Sequence, residues 1–257
     1  MMLSVVYLTY RPGGYDMLAD GLKDQTHTDY ELICIDEVTE RHDIVVKYLE
    51  GKDIPVSHVS PSKPKCFPEL PFNLINAYNT GVLLSTGDVV ILLNDYTWLP
   101  PDSLERIANR VDELGDMTAI SNAAYYFSCE KGECVDHPIS VWEKHWVGCP
   151  PKDGWGELWV GNPFELFYAA FPYTLLLETN GFSECYDYHM GNQIVPVVNK
   201  VREVNGKLYN DVENIAYHAG HREWGGSLWH QAKKPGQGVL IQRENCFNLK
   251  THRRGCI

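Results

Sequence analysis

Between Gly87 and Thr97 the chain reads Gly-Asp-Val-Val-Ile-Leu-Leu-Asn-Asp-Tyr-Thr, five consecutive apolar residues closed by a polar cluster. Such a run, bounded by a turn pair before and by amide and acid after, is the pattern of a strand covered on both faces. Strands of that kind belong to largely parallel sheets with helices above and below, so this one feature selects an α/β architecture. It also sets Asp95 at the carboxyl end of the strand, where ligands sit in open α/β sheets. A carboxylate there, among groups that hydrogen-bond, suits a divalent cation held against phosphate oxygens.

The first half of the chain repeats the plan. Leu3 to Tyr10 is rich in strand formers and stops at Arg11-Pro12-Gly13-Gly14, a turn-forming cluster. Tyr15 to Lys23 places Met17, Leu18 and Leu22 on one helical face. Glu31 to Asp36 is a second buried strand that again ends in acid, and His42 to Glu50 is a helix closed by Gly51. Ile54 to Val59 is a third strand, the Pro-rich Ser60 to Pro71 a loop, and Asn73 to Ser85 a helix. Pro100-Pro101-Asp102 opens a further helix with Leu104, Ile107, Ala108, Val111 and Leu114 inward and Gly115 as its stop. Strand and helix thus alternate across residues 1–115, which predicts a mainly parallel central sheet with right-handed crossovers.

The second half is less regular. Residues 128–162 carry Trp142, Trp146, Trp155 and Trp159 with little periodicity, which predicts a long structured insertion. Phe164 to Thr179 reads as buried, and Gln193 to Val204 as a helix interrupted by Pro196. The expected organisation is one domain, 1–257, with a regular half at 1–115 of an architecture that binds nucleotides in many proteins and a less regular half at 116–257.

A net charge of −12 argues against nucleic acid, because phosphate backbones need a basic surface. No stretch approaches the ~18 apolar residues of a membrane span. The N-terminus lacks the basic region and small-residue cleavage site of a secretory signal. The eight cysteines are scattered without paired CxxC spacing and read as reduced thiols, with Cys129 and Cys134 as the one alternative pair. The expectation is a soluble, cytoplasmic protein.

Several motifs then fall in one order. Gln25 to Glu37 (Gln-Thr-His-Thr-Asp-Tyr-Glu-Leu-Ile-Cys-Ile-Asp-Glu) resembles the second-strand signature of family 2 glycosyltransferases of the GT-A fold. Val5 to Arg11 resembles the family's first strand, and Asn79-Thr80-Gly81 before Gly87-Asp88 its helix-to-strand passage. Asn94-Asp95-Tyr96-Thr97 falls on its Asp-x-Asp motif, Thr179 to Glu184 on its Gly-Gly-Phe-Asp-Glu, and His218-Ala219-Gly220-His221 on a late His segment. The resemblance spans about residues 3 to 221.

That resemblance implies a nucleotide-sugar donor of the UDP or GDP type and a hydroxyl acceptor on a glycan, with transfer by inversion. Thr9, Tyr10, Arg11, Asp36, Asn79, Asn94 and Asp95 are the implied donor-binding residues. Mn²⁺ or Mg²⁺ is the implied cofactor, held by Asp95 with His218 and His221. Asp187 is the candidate base that deprotonates the acceptor, and Trp155, Trp159 and Glu184 the candidate acceptor contacts. Two departures stand out: Tyr96 occupies the motif's last acidic position, and Asn192-Gln193 follow Gly191 where the family carries a Glu-Asp pair. They keep open a second reading, a domain of this fold that binds nucleotide or glycan without turnover. A sugar-phosphate nucleotidyltransferase would need a longer basic phosphate loop than Arg11-Pro12-Gly13-Gly14 supplies.

Overall fold

The computed structural model describes residues 1–11, 13–62, 73–128, 156–159, 164–184, 194–220 and 249. Among them, nine strands, β1 (Leu3–Thr9), β2 (Tyr30–Asp36), β3 (Val56–Val59), β4 (Val89–Asn94), β5 (Thr97–Trp98), β6 (Thr118–Ser128), β7 (Gly156–Trp159), β8 (Tyr168–Pro172) and β9 (Lys207–Gly220), form one sheet in the order β3-β2-β1-β4-β8-β6-β9-β5, with β7 paired to β6. The leading strands are β1 (Leu3–Thr9), β2 (Tyr30–Asp36), β3 (Val56–Val59) and β4 (Val89–Asn94). They pair in parallel, linked by α1 (Tyr15–Lys23), α2 (His42–Glu50) and α3 (Leu74–Leu84).

Alternation along these strands divides the core in two. Leu3, Val5, Tyr7, Leu32, Cys34, Val89, Ile91 and Leu93 pack on one face with apolar residues of α1 and α2. That face also takes Leu104, Ile107 and Val111 of α4 (Ser103–Leu114). Val6, Leu8, Ile33, Ile35, Val90 and Leu92 pack on the other face with α3. Two later helices, α5 (Tyr173–Thr179) and α6 (Ile194–Glu203), cover the same side. A strand sandwiched this way has no solvent side to mark with polar residues, which is why β4 reads as an unbroken apolar run.

The sheet is mixed beyond β4. β8 (Tyr168–Pro172) pairs antiparallel with β4, and β6 (Thr118–Ser128) antiparallel with β8. β9 (Lys207–Gly220) runs parallel to β6 and meets the short β5 (Thr97–Trp98) antiparallel. The insertion is described only at its ends, in β6 and in β7 (Gly156–Trp159), whose backbones pair. The buried stretch from Phe164 divides at Pro172 into strand and helix. Pro196 does not interrupt α6: it lies in the first turn, where a missing N–H breaks no intrahelical bond. No helix among the described residues is long and apolar enough to cross a membrane.

Helix α3 lies close to β1 because Gly81 has no side chain. A Cβ built there would stand 2.2 Å from Val6 Cγ1, itself in a fully buried residue. Gly81→Ala should therefore cost about 1–3 kcal/mol of overpacking, offset only in part by the better helix propensity of Ala. Thermal denaturation checks this, with a fall in Tm of several degrees expected.

Candidate active site

The parallel strands deliver their carboxyl ends to one edge of the sheet. Thr9 is in register with Asp36, and Leu8 with Asn94, so the Thr9–Arg11 segment, Asp36 and Asn94–Asp95 are neighbours. Thr9 Oγ1 donates to Asp95 Oδ2 at 3.2 Å. The Arg11 guanidinium closes on the same carboxylate, its Nη1 lying 2.7 Å from Oδ1 and 2.9 Å from Oδ2. Arg11 Nη2 donates to the Tyr10 hydroxyl at 2.6 Å, and the guanidinium sits 4.3 Å above the Tyr10 ring. Burial works against the Arg11 charge, but Asp95 outweighs it and holds the side chain firmly protonated. Asn94 accepts from the Tyr78 hydroxyl of α3 at 2.9 Å.

Asp36 is 0% exposed and receives five donors. Arg41 supplies two through Nε at 2.6 Å and Nη2 at 2.7 Å, the Tyr15 hydroxyl one at 2.7 Å, and the Val38 N–H one at 2.9 Å. His58 Nε2 lies 3.0 Å from Oδ2, and its Nδ1 is 3.0 Å from His42 Nδ1. Burial alone would raise the Asp36 carboxyl, but the bonds from His58 and Arg41 more than reverse it and hold it below the usual range. Sequence reading missed Arg41, Tyr15, His42 and His58. One signal for His58 was available: it pairs with Cys34, two residues before Asp36, and period-two alternation puts all three on one face.

Tyr96 follows Asp95 in the chain but is held by other contacts. Its backbone is left-handed, φ +55°, and its ring is buried against Met17, Trp98 and Ala219. The hydroxyl accepts the Gly13 N–H at 3.1 Å, under the turn that Gly14 completes at φ +99°. Burial, and then the Asp95 charge, push its ionisation far up, so it is a neutral wedge supporting the Gly13-Gly14 turn. A bulky residue at positive φ is strained and persists only where its surroundings hold it.

Two expected site residues have other work. Asn79 is 1% exposed and pairs with the Phe182 backbone in both directions, at 2.9 Å each, while its Nδ2 reaches Glu184 Oε1 at 3.0 Å. Asn76 Nδ2 adds a bond to the same Glu184 oxygen at 3.3 Å. This clamp fastens α3 to the turn after α5. Asn79→Ala strands the buried Phe182 groups and weakens the hold on a buried carboxylate, for about 2–3 kcal/mol. Urea denaturation should show that loss with an unchanged m value. Gln25 is structural too: its side chain links Gly21 and Pro100 carbonyls to the Leu104 N–H, tying the end of α1 to the start of α4.

His218 arrives on β9 opposite Thr97, and the next N–H, from Ala219, donates to the Tyr96 carbonyl at 2.9 Å. His218 is thus brought to the segment that carries Asp95. His221, Asp187 and Trp155 lie outside the described residues, as do Cys129, Cys134, Asn192 and Gln193; Trp159 is described only as backbone in β7. Among the described residues, no group of three His, Cys, Asp or Glu side chains converges as a metal site.

The model of the family described as Glycosyl transferase family 2 matches residues 18–146, half of the chain. The chain belongs to that family. Solved structures agree on the GT-A fold of this glycosyltransferase-family chain. The mannosyltransferase PcManGT from Pyrobaculum calidifontis, in complex with GDP-Man and Mn²⁺, has 15% identity and a TM-score of 0.57, over 86% of this chain and 58% of that one. TarS of S. aureus has 15% identity and a TM-score of 0.51, over 86% of this chain and 37% of that one. The family 2 chain therefore spans less than two thirds of either neighbour's length. No curated protein sequence matches it.

Proposed function

We propose that this chain transfers a sugar from a nucleotide-sugar, of the UDP or GDP type, to a hydroxyl of a glycan acceptor. The observation that carries the reading is the meeting of Thr9, Arg11 and Asp95 at the adjacent ends of β1 and β4. That is where an α/β sheet places a ligand, and the mannosyltransferase of like fold was solved with a nucleotide-sugar.

In this reading the donor lies across the strand ends. Tyr10 offers a ring face to the base or ribose, and Asn94, held by Tyr78, offers its amide. Asp36 acts from below: saturated by its own donors, it fixes Arg41 and the start of α2 and so sets the pocket floor. The departing nucleoside diphosphate gathers negative charge as the sugar–oxygen bond breaks, and a fixed positive group lowers that barrier. The acceptor hydroxyl attacks the anomeric carbon from the opposite side, with inversion, and Asp187 is the base assigned to remove its proton. The Trp-rich segment supplies the acceptor surface, with Trp155 and Trp159 stacking on sugar faces.

Calorimetric titration with UDP and GDP tests the donor site. One of them should bind the native chain, and Asp95→Ala, which releases Arg11 from its fixed position, should weaken that binding about tenfold. Unchanged binding in the variant would place the donor elsewhere.

A further inference from the structure

We infer that the Arg11 guanidinium, positioned by Asp95, is the cation that neutralises the donor diphosphate, in the place where the family resemblance implies a divalent metal. The inference rests on the nucleotide-sugar reading above.

Asp95 is 3% exposed, and both its oxygens are occupied by Arg11 Nη1, with Thr9 also on Oδ2. A metal on this carboxylate competes with a buried, charge-assisted ion pair that already engages both oxygens. The second acidic position of the motif is filled by Tyr96, whose oxygen is turned to the Gly13 N–H. A hard cation needs several oxygen ligands in regular geometry, and the described residues around Asp95 do not form that set.

Arg11 has what the exchange requires. Its Nη1 edge is committed to Asp95 and one Nη2 proton to Tyr10, while Nε is buried without an acceptor among the described residues. A guanidinium carries five N–H donors in a rigid fork suited to phosphate. With one edge held by Asp95, the remaining donors are pre-oriented for a second anion. A buried N–H without an acceptor is costly, and phosphate oxygens would satisfy it. Asp95 is then a positioning residue and Arg11 the group that touches the ligand. The Tyr at the motif's last position is consistent with this exchange: with no metal to hold, that site is free to wedge the turn that follows Arg11.

The test is calorimetry of UDP and GDP with the full chain, in EDTA and in Mn²⁺, alongside direct Mn²⁺ binding by electron paramagnetic resonance. The native chain should bind its nucleotide in EDTA with an affinity within about threefold of that in Mn²⁺. Arg11→Met should lose about tenfold or more in EDTA, and Arg11→Lys less, since an ammonium keeps the charge without the fork. Arg11→Met also frees Asp95, so Mn²⁺ should bind that variant more tightly than the native chain. Native binding that rises tenfold or more on adding Mn²⁺ would overturn the inference while leaving the donor reading intact. An Arg11→Met that binds as the native chain does in EDTA would overturn it as well. Failure of the native chain to bind either nucleotide under both conditions would sink the donor reading itself, and the inference with it.

Discussion

Asp36→Ala should cost the fold about 3–5 kcal/mol, because it leaves the Arg41 guanidinium buried without its counter-ion. Arg41 is 3% exposed, and its Nε and Nη2 both donate to Asp36. The Tyr15 hydroxyl, His58 and the Val38 N–H lose their acceptor in the same step. Asp36→Asn keeps the shape and removes the charge, so it should fall between the native chain and Ala. The pH dependence separates charge from packing. The Asp36 carboxyl is held below its ordinary value in the folded chain, since the bonds from His58 and Arg41 overcome the opposing effect of burial. Its ion pair therefore contributes fully above the unfolded value, near ~4. That contribution is lost as pH falls through the lower folded value. Chemical denaturation from pH 6 down to pH 3 should show stability falling on the acid side in the native chain and a shallower fall in Asp36→Asn.

Tyr96→Ala should be about as damaging, at roughly 3–5 kcal/mol, the range for deleting a buried aromatic ring. The ring is 2% exposed and fills the space between Met17, Trp98 and Ala219. Its hydroxyl is the acceptor for the Gly13 N–H, so the Gly13-Gly14 turn loses support beside Arg11. Tyr96→Phe deletes only that hydroxyl and should cost about 1–2 kcal/mol. The pair of variants separates ring packing from turn anchoring by calorimetric Tm. Neither is expected to behave as the loss of a metal ligand: Tyr96→Phe should leave any Mn²⁺ response of nucleotide binding as it is in the native chain.

The parallel part of the sheet was legible because its signals are local. The helix bounds Tyr15–Lys23 and His42–Glu50 follow from apolar spacing alone, and the β4 run announces burial on both faces. The antiparallel strands were harder. β9 passes through Asn210-Asp211-Val212-Glu213-Asn214, a polar stretch that carries no strand alternation, and its register with β6 shifts there, from Asp211 opposite Asn122 to Ile215 opposite Ala123. The chain near β8 is apolar without a period, so only Pro172 marks where strand gives way to helix.

The candidate site was legible in its acids and not in their partners. Thr9, Arg11 and Asp95 can be picked from strand ends, but that Arg11 folds back onto Asp95 is a contact across 84 residues of sequence. Asn79 reads as a site residue because it lies in a family motif; its engagement with Phe182 and Glu184 is a contact across more than a hundred residues. Tyr96 is the clearest case. Aligned to the motif it looks like a missing ligand, and only its burial against Met17, Trp98 and Ala219 shows the ring packed inward.

The central claim is sugar transfer from a nucleotide donor held at the ends of β1 and β4. Its most direct test is nucleotide release from a panel of UDP- and GDP-sugars incubated with the full chain, with and without added Mn²⁺, in the native protein and in Asp95→Ala. Release from one donor well above the rate without protein, and at least about tenfold slower in the variant, is the result predicted. Tight binding of a nucleotide with no release from any donor, native and variant alike, would contradict it and mark a binding protein built on a glycosyltransferase fold.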